Sequence, residues 1–305
     1  MNIIELEGIT KTYGTHKAVD DLTLHVPKGC IYGFIGPNGS GKTTTIRMIM
    51  NILYPDNGSI KVNGKELIGS QMGDVGYLPE ERGLYSKMKV KDLIKFYGEL
   101  KGVKNLDAEA DNWLKKFDLT KWGNEKVEAL SKGMSQKVQF IITVISYPDL
   151  IILDEPFSGL DPVNAEIIKE EILKLQDKGS TIIFSTHDMS VAERMCDYIF
   201  MIYKGKKVLD GTLASIQEQF GEDTLRVQTE LGVSALKDLR GVERINDFGA
   251  IQEIRMEPHA DSQEVLSSIM SKTKVMKFEL TSPSLNDIFI RIARPENTED
   301  NVPST

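Results

Sequence analysis

Apolar and polar residues alternate from Met1 to about Gly29, broken by two turn-like tetrads, Tyr13-Gly14-Thr15-His16 and Val26-Pro27-Lys28-Gly29. Alternation of this period predicts antiparallel strands with one face buried. Three later stretches are apolar along most of their length: Cys30-Ile31-Tyr32-Gly33-Phe34-Ile35, Leu150-Ile151-Ile152-Leu153 and Thr181-Ile182-Ile183-Phe184-Ser185. That is the pattern of strands covered on both faces, as in a parallel sheet. A helical stretch from Val163 to Lys178 separates the last two and makes them a βαβ unit. Asp56-Asn57-Gly58-Ser59 leads into a hairpin pattern over Ile60 to Lys65. From Val90 to about Val127 the period turns helical, with Leu93, Phe96, Tyr97 and Leu100 assigned to one face.

Composition shifts near Phe220-Gly221-Glu222-Asp223. Beyond it, strand-like and helix-like pieces follow in β-α-β-β-α-β order, a split βαβ arrangement. The expected organisation is an α/β domain over 1–220, with a helical insert at about 86–148, and a small α+β domain over 221–293. The polar, proline-containing end, 294–305, is expected to be disordered.

The junction after the first all-apolar run carries the chemistry. Gly36-Pro37-Asn38-Gly39-Ser40-Gly41-Lys42-Thr43-Thr44 fits G-x-x-x-x-G-K-[ST] in full, between a strand pattern and a helix pattern. Glycines let successive backbone N–H groups converge on one anion, and the helix start adds positive partial charge. Lys42 is expected to reach the terminal phosphates of a nucleotide and the Thr43 hydroxyl to ligate Mg²⁺. The run Leu150 to Leu153 ends in Asp154-Glu155-Pro156. A carboxylate at that strand end can hold Mg²⁺ through water, and its neighbour Glu155 can polarise an attacking water as general base.

Composition trims the alternatives. The chain has 305 residues and a formal net charge of −8, which argues against sequence-independent nucleic-acid binding. Two distant cysteines, Cys30 and Cys196, make neither a disulfide framework nor a zinc site and suit a reducing compartment. No apolar run reaches bilayer length, and the first residues lack a basic-then-apolar leader pattern, so any membrane part is expected on another chain.

The segments around the acid pair narrow the class. Leu130-Ser131-Lys132-Gly133-Met134 precedes the acid-bearing strand by one helix, Ser158-Gly159-Leu160-Asp161 follows it, and Ser185-Thr186-His187-Asp188 closes the next strand. Taken alone, His187 reads better as a satisfied structural histidine than as a phosphate sensor. Together, in this order, the segments resemble the ATP-binding-cassette (ABC) family over about Met1 to Gly211. The resemblance implies a mixed-sheet P-loop NTPase core with an antiparallel β subdomain and a helical subdomain. It implies ATP and Mg²⁺ as cofactors, Tyr13 stacked on adenine, Asp161 in the dimer loop, and His187 sensing the γ-phosphate. It also implies a head-to-tail dimer, with itself or a sister subunit, in which Ser131 and Gly133 face the phosphate loop of the other cassette. The activity implied is ATP hydrolysis driving transport through a separately encoded integral membrane permease, on the inner face of the cell membrane.

Two positions depart from the family pattern. In place of L-S-G-G-Q, Lys132 and Met134 flank the retained Gly133; Lys132 either adds charge near the trans phosphate or points to solvent. Glu80, in Gly76-Tyr77-Leu78-Pro79-Glu80, stands where the family has a glutamine. The stretch from Leu78 to Tyr85, with Ser284-Leu285-Asn286-Asp287-Ile288-Phe289-Ile290, resembles sodium-extrusion-type ATP-binding subunits with a small C-terminal domain. Export of sodium ions or of a drug-like solute is the resulting expectation. Leu84, Tyr85, Met88 and Val90 either form a socket for the membrane partner or pack the insert onto the core. The rival readings are an ABC ATPase of translation or DNA repair, and a cassette that binds ATP without turnover.

Overall fold

The computed structural model of the chain describes residues 1–67, 75–80, 83–220, 224–257 and 259–293. It divides into two compact units, Met1–Gly211 and the residues from Thr212 onward. The expected tail, 294–305, and part of the composition shift, 221–223, lie outside the described residues.

In the first unit β1 (Asn2–Tyr13) and β2 (His16–Pro27) form an antiparallel pair that β4 (Asn57–Val62) and the short β5 (Lys65–Glu66) extend to a four-stranded sheet. Between them in sequence lie β3 (Ile31–Ile35) and α1 (Lys42–Ile49). After β6 (Val75–Leu78) come the helices α2 (Val90–Leu100), α3 (Leu106–Lys116) and α4 (Lys132–Val144). β7 (Leu150–Asp154), α5 (Pro162–Asp177) and β8 (Thr181–Thr186) make the expected βαβ unit, with parallel strands. The unit closes with α6 (Met189–Met195), β9 (Tyr198–Tyr203) and β10 (Lys206–Gly211). The main sheet has six strands in the order β10-β9-β3-β8-β7-β6, antiparallel only between β10 and β9.

Strand periodicity sorts the core. Ile31, Ile151, Leu153, Ile182 and Phe184 join the helical side, packing with Leu93, Trp113 and Phe140. Tyr32, Phe34, Ile152, Ile183 and Phe200 point the other way, onto α1 and the antiparallel sheet. Burial on both faces explains why these strands read as unbroken apolar runs.

The face predicted for the first insert helix is corrected. α2 buries Val90, Leu93, Ile94 and Gly98, spaced i, i+3, i+4 and i+8, while Phe96 and Leu100 are 38% and 68% exposed. Gly98 sits at the crossing with α3, where an added Cβ would lie 2.4 Å from Leu106 Cδ2. α4 begins at Lys132, so that Ser131 becomes its N-cap. Among the described residues no helix is long and apolar enough to cross a membrane.

The second unit starts with α7 (Leu213–Phe220), which Gln217 ties down by donating from Nε2 to the Pro283 carbonyl at 2.9 Å. The structural boundary thus precedes the composition shift. β11 (Thr224–Thr229), β12 (Val242–Asp247) and β13 (Gln252–Met256) are followed by α8 (Ser262–Lys272), β14 (Val275–Thr281) and α9 (Leu285–Ala293). The sheet order is β12-β13-β11-β14, every neighbour antiparallel. This is the split βαβ topology, with its first helix reduced to a 3₁₀ turn over Gly232–Leu236.

Candidate functional site

Segments leaving the carboxyl ends of four adjacent strands, β3, β8, β7 and β6, carry most of the candidate residues. In register, Ile35 lies beside Thr186, Asp154 beside Ser185, and Leu78 beside Leu153. Ligand crevices form at such strand ends because the loops diverge there.

The phosphate loop follows β3. Gly41 caps α1 at φ +115°, and an added Cβ would lie 2.5 Å from the Ala18 carbonyl oxygen. At Gly36 the same atom would lie 2.2 Å from the Ile202 carbonyl oxygen. Both positions therefore admit glycine alone without movement of backbone. The Ser40 carbonyl accepts from Gly205 N–H, and the Gly205 carbonyl from Asp20 N–H, each at 2.9 Å. These bonds fasten the loop to the β9–β10 turn and to β2.

Lys42 is 6% exposed and donates from Nζ to the carbonyls of Gly36 at 2.7 Å and Pro37 at 3.1 Å. Burial holds its ammonium below the ordinary lysine range, opposed by the charges of Glu155, Asp154 and Glu80. The Thr43 hydroxyl approaches Asp154 Oδ1 at 3.4 Å. Asp154 is fully buried, and its Oδ2 has no hydrogen-bond partner among the described residues. A buried carboxylate oxygen in that state is costly unless a cation meets it. With the Thr43 hydroxyl it forms the hard oxygen set that Mg²⁺ selects, so the residues fit that ion.

Glu155 is held in the left-handed region at φ +49°, a strain of about 1 kcal/mol for a non-glycine residue. Its N–H donates to Ser185 Oγ at 3.0 Å, and the Ser185 hydroxyl in turn donates to Asp154 Oδ1. One hydroxyl on β8 thus aligns both acids of β7. His187 Nδ1 lies 3.0 Å from Glu155 Oε1; an ionised carboxylate can only accept, so Nδ1 carries the proton.

Lys42, Thr43 and Glu155 open on one groove of about 500 Å³, lined also by Tyr13, Asn38 and Glu80 among others; Asp154, Ser185 and His187 are not in its lining. Tyr13 is half exposed at the end of β1. Glu80 is exposed at the wall of this groove. The lining also includes His16 and Ala18, which sequence reasoning did not single out. Ser185 was likewise missed, because its role depends on β8 lying next to β7.

Ser131, Gly133 and Asp161 do not line this groove among the described residues. Ser131 caps α4, its exposed Oγ accepting from Met134 N–H at 3.3 Å. Asp161 caps α5, its Oδ1 accepting from Asn164 N–H at 3.0 Å. Buried Gln136 of α4 donates from Nε2 to the Ser158 carbonyl at 2.7 Å, tying that helix to the loop that leads to Asp161. The Lys132 ammonium lies over Gly159, 2.8 Å from where a Cβ there would stand.

Comparison with known proteins places the chain in a family. Residues 19–158 match the family model described as ABC transporter, and residues 211–293 match that of the C-terminal domain of DrrA1-3-like ATP-binding proteins. YhaQ of Bacillus subtilis, described as an uncharacterized ABC transporter ATP-binding protein, is 41% identical over 94% of this chain and 97% of its own. NatA of the same organism, an ABC transporter ATP-binding protein, is 36% identical over 66% of this chain and 85% of its own. The daunorubicin resistance ATP-binding protein DrrA3 of Streptomyces coeruleorubidus is 29% identical over 95% of each chain. A solved ATP-binding subunit of an ABC transporter aligns with a TM-score of 0.66 and 31% identity, covering 72% of this chain and 93% of that one. With a complete phosphate loop, an acid pair and a histidine on adjoining strand ends, the chain belongs to the ATP-binding proteins of ABC transporters, ATPases whose hydrolysis of ATP drives transport.

Proposed function

We propose that two copies of this chain clamp ATP between them and that its hydrolysis powers export through a membrane-embedded partner. The observation that carries this reading is the split of the candidate residues. Lys42, Thr43, Glu80 and Glu155 line one groove, whereas Ser131 and Gly133 sit at the exposed start of α4, outside it. A helix start with an exposed capping hydroxyl suits a phosphate brought by another cassette.

In the closed state the Lys42 ammonium leaves the carbonyls of Gly36 and Pro37 for the terminal phosphates, where its charge counts most in a dry site. Tyr13 packs on the base, and the loop N–H groups from Gly39 to Thr44 surround the phosphates. Thr43 and Asp154 hold Mg²⁺, which when bound neutralises charge on the transferring phosphoryl group. Glu155 accepts a proton from the attacking water and His187 keeps that carboxylate aimed. Asp161 holds the loop beside Ser131 in shape for the second copy. If the clamp is real, ATP turnover per chain falls as the protein is diluted below its dimerisation range. Turnover independent of dilution, by a chain that stays monomeric, would falsify it.

The membrane partner is placed at the groove between the Glu80 loop and the insert. Leu78, Leu84, Tyr97 and Ile142 line a depression of about 280 Å³ there. Tyr85 stands close by, 57% exposed and edge-on to Phe96 at 6.0 Å. Of the four residues weighed for this socket, Val90 is fully buried and packs the insert, and Met88 lies against the same core. Tyr85→Ala is expected to change ATP turnover of the isolated chain less than about twofold while lowering transport at least about tenfold. Transport at the normal rate removes this surface from consideration. The partner anchors the chain at the inner membrane face. DrrA3 is named for daunorubicin resistance, which favours a drug-like solute over sodium as the cargo.

A further inference from the structure

β8 reads Thr181-Ile182-Ile183-Phe184-Ser185-Thr186, every residue buried, and lies inside the main sheet between β3 and β7. Apolar β-branched and aromatic residues suit such a strand best, and a hydroxyl there is costly unless it is hydrogen-bonded. Ser185 is nevertheless fully buried near its carboxyl end, beside Phe34 on one side and Asp154 on the other. The β7–β8 ladder ends at that Asp154–Ser185 pair. The next residue, Glu155, turns away at φ +49°, and its amide donates to Ser185 Oγ at 3.0 Å. The single proton of the serine goes to Asp154 Oδ1, which leaves a lone pair of the hydroxyl for the Glu155 N–H. Two residues on, His187 Nδ1 meets the Glu155 carboxylate at 3.0 Å. One strand end thus grips Glu155 twice, by its backbone and by its side chain. A non-glycine residue stays in the left-handed region only where its surroundings over-determine it, and these are two such constraints.

We propose that Ser185 is a positioning residue for ATP hydrolysis. It acts through Glu155: its hydroxyl fixes the backbone from which that carboxylate is aimed, while His187 fixes the carboxylate itself. This role rests on the reading of Glu155 as the general base. Without the hydroxyl, the Glu155 amide loses its acceptor in a buried place, and the residue can relax out of the left-handed region. The carboxylate then leaves the line of attack, and a misplacement of about 1 Å costs up to about a hundredfold in rate. Nucleotide binding is set by the phosphate loop and should survive. A serine that only held the sheet together would act differently, lowering stability without changing turnover at saturating ATP. Ser180 supplies that contrast. Just ahead of β8, its buried Oγ donates to the Pro148 carbonyl at 2.9 Å, at the opposite end of the strand pair.

The test measures kcat and the ATP dissociation constant of the full chain with Mg²⁺, and amide exchange by NMR in EDTA without nucleotide. Ser185→Ala should lower kcat about 10- to 100-fold and change ATP affinity less than about twofold. Exchange of its Glu155 amide should quicken at least about tenfold. Ser185→Thr keeps the hydroxyl and should recover most of the rate. Ser180→Ala should lower Tm comparably yet hydrolyse ATP at the normal rate. Because Ser185 acts through Glu155, adding Ser185→Ala to Glu155→Gln should slow hydrolysis by no more than about twofold further. If Ser185→Ala does not fold, Ser185→Cys, close in volume but a weaker hydrogen-bond partner, takes its place with the same expected changes. Normal hydrolysis by Ser185→Ala, a fall in rate matched by a fall in affinity, or unchanged exchange at Glu155 overturns the proposal. So does a threonine variant that melts like wild type yet stays slow, a Ser180→Ala as slow as Ser185→Ala, or additive losses in the double variant. The two readings fail separately. Normal hydrolysis by Glu155→Gln removes the base itself, whereas a slow Glu155→Gln beside a normal Ser185→Ala removes the role of Ser185 alone.

Discussion

Replacing Glu155 by glutamine is expected to slow ATP hydrolysis about 10²- to 10³-fold while leaving ATP binding intact. The amide keeps the shape of the side chain, and its oxygen can still accept from His187 Nδ1, so the local geometry at φ +49° is retained. What disappears is the capacity to take a proton from water. If the proposed clamp opens only after hydrolysis, the variant accumulates as an ATP-bound dimer. Single-turnover hydrolysis together with size-exclusion chromatography in ATP reads both effects. Normal hydrolysis would move the base elsewhere, with Glu80 as the other carboxylate lining the groove.

Exchange of Lys42 for alanine acts one step earlier, on binding. The ammonium is a buried cation kept below its ordinary pKa mainly by desolvation. A depressed lysine pKa means that the folded chain holds this proton less tightly than the unfolded chain does. The cost is therefore present at neutral pH and is relieved only as pH rises through the folded value toward the unfolded one. The site carries that cost without nucleotide and is repaid by phosphate charge when ATP arrives. For wild type, ATP at about one hundred times its dissociation constant adds roughly 2.7 kcal/mol, a rise in Tm of about 5 °C or more. The alanine variant should lose nearly all of that rise and bind ATP about 10²-fold more weakly. Thermal melts with and without Mg-ATP measure it, and an undiminished rise would show that the backbone of the loop suffices.

The phosphate loop was legible because its glycines, lysine and threonine are contiguous and each answers a separate constraint visible in the fold. Gly36 and Gly41 meet backbone carbonyls, and Lys42 caps the loop from within. Asp154 and Glu155 were legible because they end an apolar run. Ser185 was not. Its hydroxyl matters through a neighbour 30 residues away in sequence, reached by the adjacency of β8 and β7. The insert helix shows the opposite failure. Apolar residues at Phe96 and Leu100 fit a helical period, but the stripe through Val90, Leu93, Ile94 and Gly98 is the one that meets the core. Exposed apolar side chains beside a buried stripe shift its apparent phase. In the second unit the order of elements was visible, yet the first helix shrank to a 3₁₀ turn whose short length carries no periodic signal.

The strand order has a consequence for how the molecule is made. β3, which feeds the phosphate loop, and β7, which ends in the acid pair, are not neighbours; β8 lies between them and emerges later during synthesis. A nascent polypeptide can therefore present its glycine-rich turn well before it can join the acids to it. Only when Thr181–Thr186 slides into the gap do the hydroxyl of Ser185 and the ring of His187 arrive together. The sheet between phosphate loop and acid pair is thus closed by a strand made after both of theirs.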